Sequence, residues 1–133
     1  MFELSENQIQ IAVVDDDESF ARAIGRLLRA AGFGAVIYNS AEALLQNFAA
    51  RPVQCLVLDI QMGEMSGFDL ARQLAGFGVQ IPIVFVTALE DEASSQEARA
   101  INNSTLLRKP VSGQALIAAI REATHLTPGM KTN

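Results

Sequence analysis

The feature that most constrains this chain is a repeated pattern: a short apolar run, largely β-branched, that gives way to an acidic or otherwise polar residue. Residues 9–14 lead into Asp15-Asp16, 53–58 into Asp59, 83–86 into Thr87, and 105–107 into Arg108-Lys109. Runs of this length and composition read as buried strands. The stretches between them carry apolar residues at helical spacing. Phe20, Ile24, Leu27, Leu28 and Ala31 make one such stripe, and Leu116, Ile117, Ile120 and Ala123 another. Strands alternating with helices imply a parallel sheet, which delivers all its C-terminal strand ends to one edge. The polar stations should therefore meet in a single crevice, the place where open α/β sheets bind their ligands.

The punctuation agrees with this reading. Asp17-Glu18-Ser19 suits the positive end of a first helix, and Ser40 and Ser112 suit the caps of the second and the last. Gly32, Arg51-Pro52, Gly76-Phe77-Gly78 and Asn102-Asn103 are the stops. Residues 35–38 form a further short strand, and Pro82 opens the one at 83–86. Ala43, Leu44 and Phe48 face inward from the second helix, and Leu70, Ala71 and Leu74 from the third. Residues 90–101 make the helix with least to bury, only Ala93 and Ala98, which suits either an element that moves or an ordinary surface helix. The expected domain is 8–125, with flexible termini at 1–7 and 126–133.

A chain of 133 residues, half of them apolar, is enough for one domain with a sizeable core. Its net charge is −5, and outside Arg108-Lys109 it has no basic cluster, so no nucleic-acid footprint is expected. It has neither a signal-peptide pattern nor an apolar stretch of spanning length, so a cytoplasmic location off the membrane is expected. Cys55 lies within an apolar run and reads as a core residue. His125, near the end of the last helix, reads as an exposed helix-terminal residue.

Asp15, Asp16 and Asp59 would repel one another unless compensated. A hard divalent cation such as Mg²⁺ compensates them, and the lack of a histidine or second cysteine nearby argues against zinc or copper. Asp59 stands alone at the end of the most apolar strand, a suitable place for a nucleophile. The Thr87 hydroxyl and the Lys109 ammonium suit phosphoryl oxygens, and phosphoryl transfer needs mainly positioning and charge neutralisation.

The segments Val13-Val14-Asp15-Asp16-Asp17-Glu18, Leu56-Val57-Leu58-Asp59-Ile60-Gln61-Met62-Gly63-Glu64-Met65-Ser66-Gly67, Phe85-Val86-Thr87-Ala88 and Arg108-Lys109-Pro110 together resemble the signatures of response-regulator receiver domains. The resemblance covers roughly residues 8–124. It implies a flavodoxin-like (CheY-like) fold: a five-stranded parallel sheet of order 2-1-3-4-5 flanked by five helices. It also implies a signalling domain rather than an enzyme, with Asp59 taking a phosphoryl group from a phosphohistidine on a sensor kinase or phosphotransfer protein. Mg²⁺ would be held by Asp16, Asp59 and the Gln61 backbone carbonyl, with Asp15 acting through a water. Thr87, Lys109 and the Ala88 amide would hold phosphoryl oxygens.

Three positions depart from the usual receiver pattern. Gly63 stands where proline is usual, Leu106 where phenylalanine or tyrosine is usual, and Val111 where phenylalanine is common. The second departure puts the familiar aromatic switch in question. With no recognisable output domain after the last helix, the chain reads either as a stand-alone receiver or as the receiver part of a longer protein. Two other readings stay open: a binding module that does not use phosphorylation, and a Mg²⁺-dependent phosphatase. The phosphatase would need a second acid close to its nucleophile and a substrate cap, whereas Asp59 is followed by Ile60-Gln61.

Overall fold

In the computed structural model, residues 8–88, 91–101 and 103–125 are described; the segments expected as termini, 1–7 and 126–133, lie outside them, as do Leu89, Glu90 and Asn102. The elements are β1 (Gln10–Val14), α1 (Glu18–Ala30), β2 (Gly34–Tyr38), α2 (Ala41–Asn47), β3 (Cys55–Leu58), α3 (Gly67–Gly76), β4 (Ile83–Thr87), α4 (Glu92–Arg99), β5 (Ser104–Arg108) and α5 (Gly113–His125). All strand pairs are parallel, and the sheet order is β2-β1-β3-β4-β5. The expected order and helix count both hold.

Period-two alternation sorts the strand residues onto two faces. Ile11, Val13, Cys55, Val57, Val84 and Val86 pack with Ala21, Ile24 and Leu28 of α1 and with Leu116, Ile117 and Ile120 of α5. Ala12, Val14, Leu56, Leu58, Ile83 and Phe85 pack on the other side, with Leu44 of α2, Leu70, Ala71 and Leu74 of α3, and Ala98 of α4. β3 is buried along its whole length because it has a strand on either side and helices on both faces. Cys55 is fully buried there, and burial pushes its thiol up to about 12, so it is an inert core residue.

The caps lie where expected. Asp17 accepts from the Phe20 amide, Ser40 from Ala43 and Ser112 from Ala115. Asn103 has φ 61°, the left-handed turn foreseen after α4. Two inward faces differ from expectation. In α4 the buried pair is Ser94 and Ala98, while Ala93 is exposed, because Ala98 sits on the core and the residue four before it shares its face. In α5 the stripe continues through buried Thr124, with Ala123 at its edge. The Thr124 hydroxyl donates to the Ile120 carbonyl at 2.8 Å, so it can be buried at little cost.

Phe85 is fully buried at the centre of the sheet, its ring 4.9 Å from that of Phe68 in an edge-to-face arrangement. Phe85→Ala should cost about 3–5 kcal/mol of stability, read as a lower urea midpoint with the slope of the transition unchanged.

Candidate functional site

Hydrogen bonds of the sheet ladder run one residue past the strands and fix the crevice. The Asp15 amide donates to the Tyr38 carbonyl (3.2 Å), the Asp59 amide to Val14 (3.0 Å) and the Lys109 amide to Thr87 (2.8 Å). Three stations are therefore held by backbone in register, and their side chains follow strand parity. Asp15, Asp59 and Lys109 continue the alternation on the α1–α5 side of the sheet, and Thr87 continues that of Phe85 on the other side.

Oxygen atoms of Asp15, Asp16 and Asp59 lie within 4.8 Å of one another. Asp15 and Asp59 are buried and Asp16 is exposed, so the group opens to solvent on the Asp16 side. Lys109 Nζ bridges the two buried acids, at 3.2 Å from Asp15 Oδ2 and 3.8 Å from Asp59 Oδ2. The other Asp15 oxygen accepts the Asp17 amide at 2.8 Å, which ties the crevice to the start of α1. Burial, and then the charge of Asp15, push the Asp59 carboxyl up to about 6; Lys109 and the Ile60 amide pull the other way, and Asp16 adds a further upward push. One ammonium does not fully offset three carboxylates. The donors are all oxygens, and these residues fit a hard divalent cation such as Mg²⁺.

The structure brings Asp15, Asp16, Asp59 and Lys109 together; Thr87 is buried at the end of β4, the strand between those that lead to Asp59 and Lys109. Ala88 follows Thr87 and is exposed, and Gln61 is exposed in the loop between β3 and α3. That loop is held by two glycines. The Gly67 amide donates to the Ile60 carbonyl at 2.8 Å, and a Cβ on Gly67 would lie 2.3 Å from the Asp59 carbonyl oxygen. The start of α3 thus touches the backbone of Asp59 itself. Gly63 has φ +55°, a conformation closed to proline, so the loop takes a path here that the usual residue could not.

Leu106 lies on the opposite face from Lys109, half-buried against the α3–α4 side, in a groove of about 310 Å³ lined by Ser95, Ala98, Arg99, Ser104 and Arg108. Arg108, in sequence only the neighbour of Lys109, donates to Ser95 Oγ at 2.9 Å and so joins β5 to α4. Ser104 Oγ donates to the Ala98 and Ile101 carbonyls at 2.7 and 2.9 Å. Arg72 of α3 pairs with Glu97, and Arg99 with Glu92 at 3.2 Å. The Asp91 carboxyl is held below its ordinary range, first by the Ser94 hydroxyl and amide and also by Arg108. α4 thus adds polar tethers to β5 and α3 to the apolar contact of Ala98.

The comparisons with known proteins agree with one another. The model of the response regulator receiver domain matches residues 11–121. Response regulator protein TmoT of Ectopseudomonas mendocina is 35% identical over 130 residues, which are 98% of this chain and 59% of TmoT. The chain therefore spans little more than half the length of that curated relative. Among solved structures, response regulator StyR superposes with TM-score 0.79 at 37% identity over 90% of this chain and 60% of its own. A response regulator receiver protein from Burkholderia phymatum gives TM-score 0.78 at 34% identity over 90% of this chain and 98% of its own.

Two outcomes test the geometry. An acid whose folded pKa is raised stabilises the fold fully below its unfolded pKa and loses that contribution as pH rises through the folded one. Asp59 should thus weaken the fold progressively between about pH 3.8 and pH 6. With divalent cations chelated, Asp59→Asn should exceed wild type in stability at pH 7 by roughly 2 kcal/mol, and the two should converge near pH 4, by urea unfolding. Gly67→Ala should cost about 1–3 kcal/mol because neither contact at the loop is a flexible side chain, again by urea unfolding.

Proposed function

Because the chain belongs to the response-regulator receiver family, we propose that it is switched by phosphorylation of Asp59, the donor being a phosphohistidine on a sensor kinase or phosphotransfer protein. The family is one of two-component signalling. The observation that carries the proposal is a buried carboxylate at a sheet edge, with two further acids within 4.8 Å and one ammonium 3.8 Å away.

The chemistry follows from those residues. An ionised Asp59 oxygen attacks phosphorus; a P–O bond forms, the P–N bond to the donor imidazole breaks, and the electron pair leaves on the imidazole nitrogen. Attack needs the carboxylate charged, although burial and the neighbouring acids favour its protonated form. Mg²⁺, held by Asp16, Asp59 and the Gln61 carbonyl with Asp15 beside them, would neutralise the acids and stabilise charge on the transferring group. The Lys109 ammonium, already facing Asp59, supplies the protein's own positive charge to the phosphoryl oxygens. The Thr87 hydroxyl and the Ala88 amide complete the set of donors. Thr87 belongs by strand parity to the face that carries Leu106, so a contact between it and a phosphoryl group links the crevice to the α4–β5 side. Signalling then proceeds through protein contacts on that side, where α4 is held by Arg108, Ser104 and the Arg72–Glu97 pair in place of an aromatic ring under the helix.

Wild-type protein incubated with Mg²⁺ and a small phosphodonor should gain one phosphoryl group by mass, and Asp59→Asn should gain none. Lys109→Ala should slow labelling by about 10²–10³-fold, as for loss of a transition-state donor. A folded wild-type protein that gains no mass, and gives no spectral response to beryllofluoride, contradicts the proposal. For the output face, Arg108→Ala should speed amide exchange in α4 by roughly fivefold, the loss of one exposed charge-assisted hydrogen bond; unchanged exchange would mean that Arg108 does not hold the helix.

A further inference from the structure

Lys109 has a third neighbour besides the two acids. Its ammonium lies 4.2 Å from the centroid of the Phe20 ring, within the range of a cation–π contact. The ring reaches that point through local structure. Asp15 accepts the Asp17 amide, and Asp17 in turn caps α1 by accepting the Phe20 amide at 3.1 Å. Phe20 then packs, half-buried, on the apolar cluster that Leu107 and Val111 also join. One short chain of contacts thus connects a buried acid of the crevice, the helix cap and the ring beneath the lysine.

The ring and the acids differ in what happens to them during the reaction. Asp15 and Asp59 hold the ammonium only while their carboxylates are free to do so. A cation or a phosphoryl group at the crevice takes up those oxygens. The ring neither titrates nor exchanges partners, so it is the contact that persists. Lys109 is otherwise a long, flexible stem whose charge is drawn towards water, and its side chain is 22% exposed.

We propose that Phe20 is a positioning residue for phosphoryl transfer, keeping the Lys109 ammonium in the crevice when its carboxylate partners are occupied. This rests on the phosphorylation of Asp59 proposed above. An aliphatic side chain at this position would fill the same apolar space without offering the negative face of an aromatic ring.

The chain contains two lysines, Lys109 and Lys131, so its lysine side-chain NMR signals are readily assigned. In the wild-type protein the Lys109 Cε protons should lie upfield of those of lysine in an unfolded peptide, shielded by the ring. In Phe20→Leu they should move to the unshielded position, and labelling by a small phosphodonor with Mg²⁺ should slow about fivefold. Phe20→Tyr should retain both the shielding and most of the rate. Lys109 signals at the unshielded position in wild type would overturn the proposal without any variant. Equal slowing in the Leu and Tyr variants would also overturn it, since the position would then matter only for packing. Shielding in a wild type that fails to label would refute the phosphorylation reading while leaving the contact between ring and ammonium in place.

Discussion

The site depends on a single ammonium shared between two buried carboxylates. Asp15 and Asp59 are carried by adjacent parallel strands, β1 and β3, and the ladder bond from the Asp59 amide to the Val14 carbonyl leaves their side chains little freedom to separate. Lys109 arrives from the end of β5, the far edge of the sheet, and reaches back across β4 to meet them. Four strands, β1, β3, β4 and β5, must therefore be in register for the charges to balance. A slip of one residue would send each station to the opposite face. The hydrophobic alternation that builds the core is thus also what aims the site.

That alternation is the part most legible in sequence. The polar stations after apolar runs foretell the crevice, and the caps at Asp17, Ser40 and Ser112 are local signals that tertiary structure leaves alone. Strand order is not a local property, and it was available only through likeness to receiver signatures. What stays hidden is geometry between elements distant in sequence. Nothing in Phe20 or Arg108 alone says that one lies under the lysine and the other reaches Ser95. The phase of α4 is also hard to read. Eight residues make little more than two turns, too few for a hydrophobic stripe to announce that Ser94 turns inward with Ala98.

The departures from the usual receiver pattern acquire physical content in the structure. Gly63 is not merely permissive, since its φ of +55° is one that proline cannot take. Leu106 leaves a groove between α4 and β5 instead of filling it, and polar contacts bind the two elements around that groove. The chemistry of the crevice and the outer surface are thus built on different terms, one by buried charge and the other by exposed polar tethers.

Those tethers have a consequence beyond the single domain. Interactions between exposed charges fade as dissolved ions accumulate, with a screening length of about 8 Å at physiological ionic strength, whereas apolar burial is not weakened in that way. The Arg72–Glu97 pair that ties α4 to α3 is exposed, whereas the helices are seated on the sheet by apolar burial. That part of the hold on α4 is consequently sensitive to the ionic composition of its surroundings. Salt concentration thus bears on how firmly this helix sits before any chemical signal arrives.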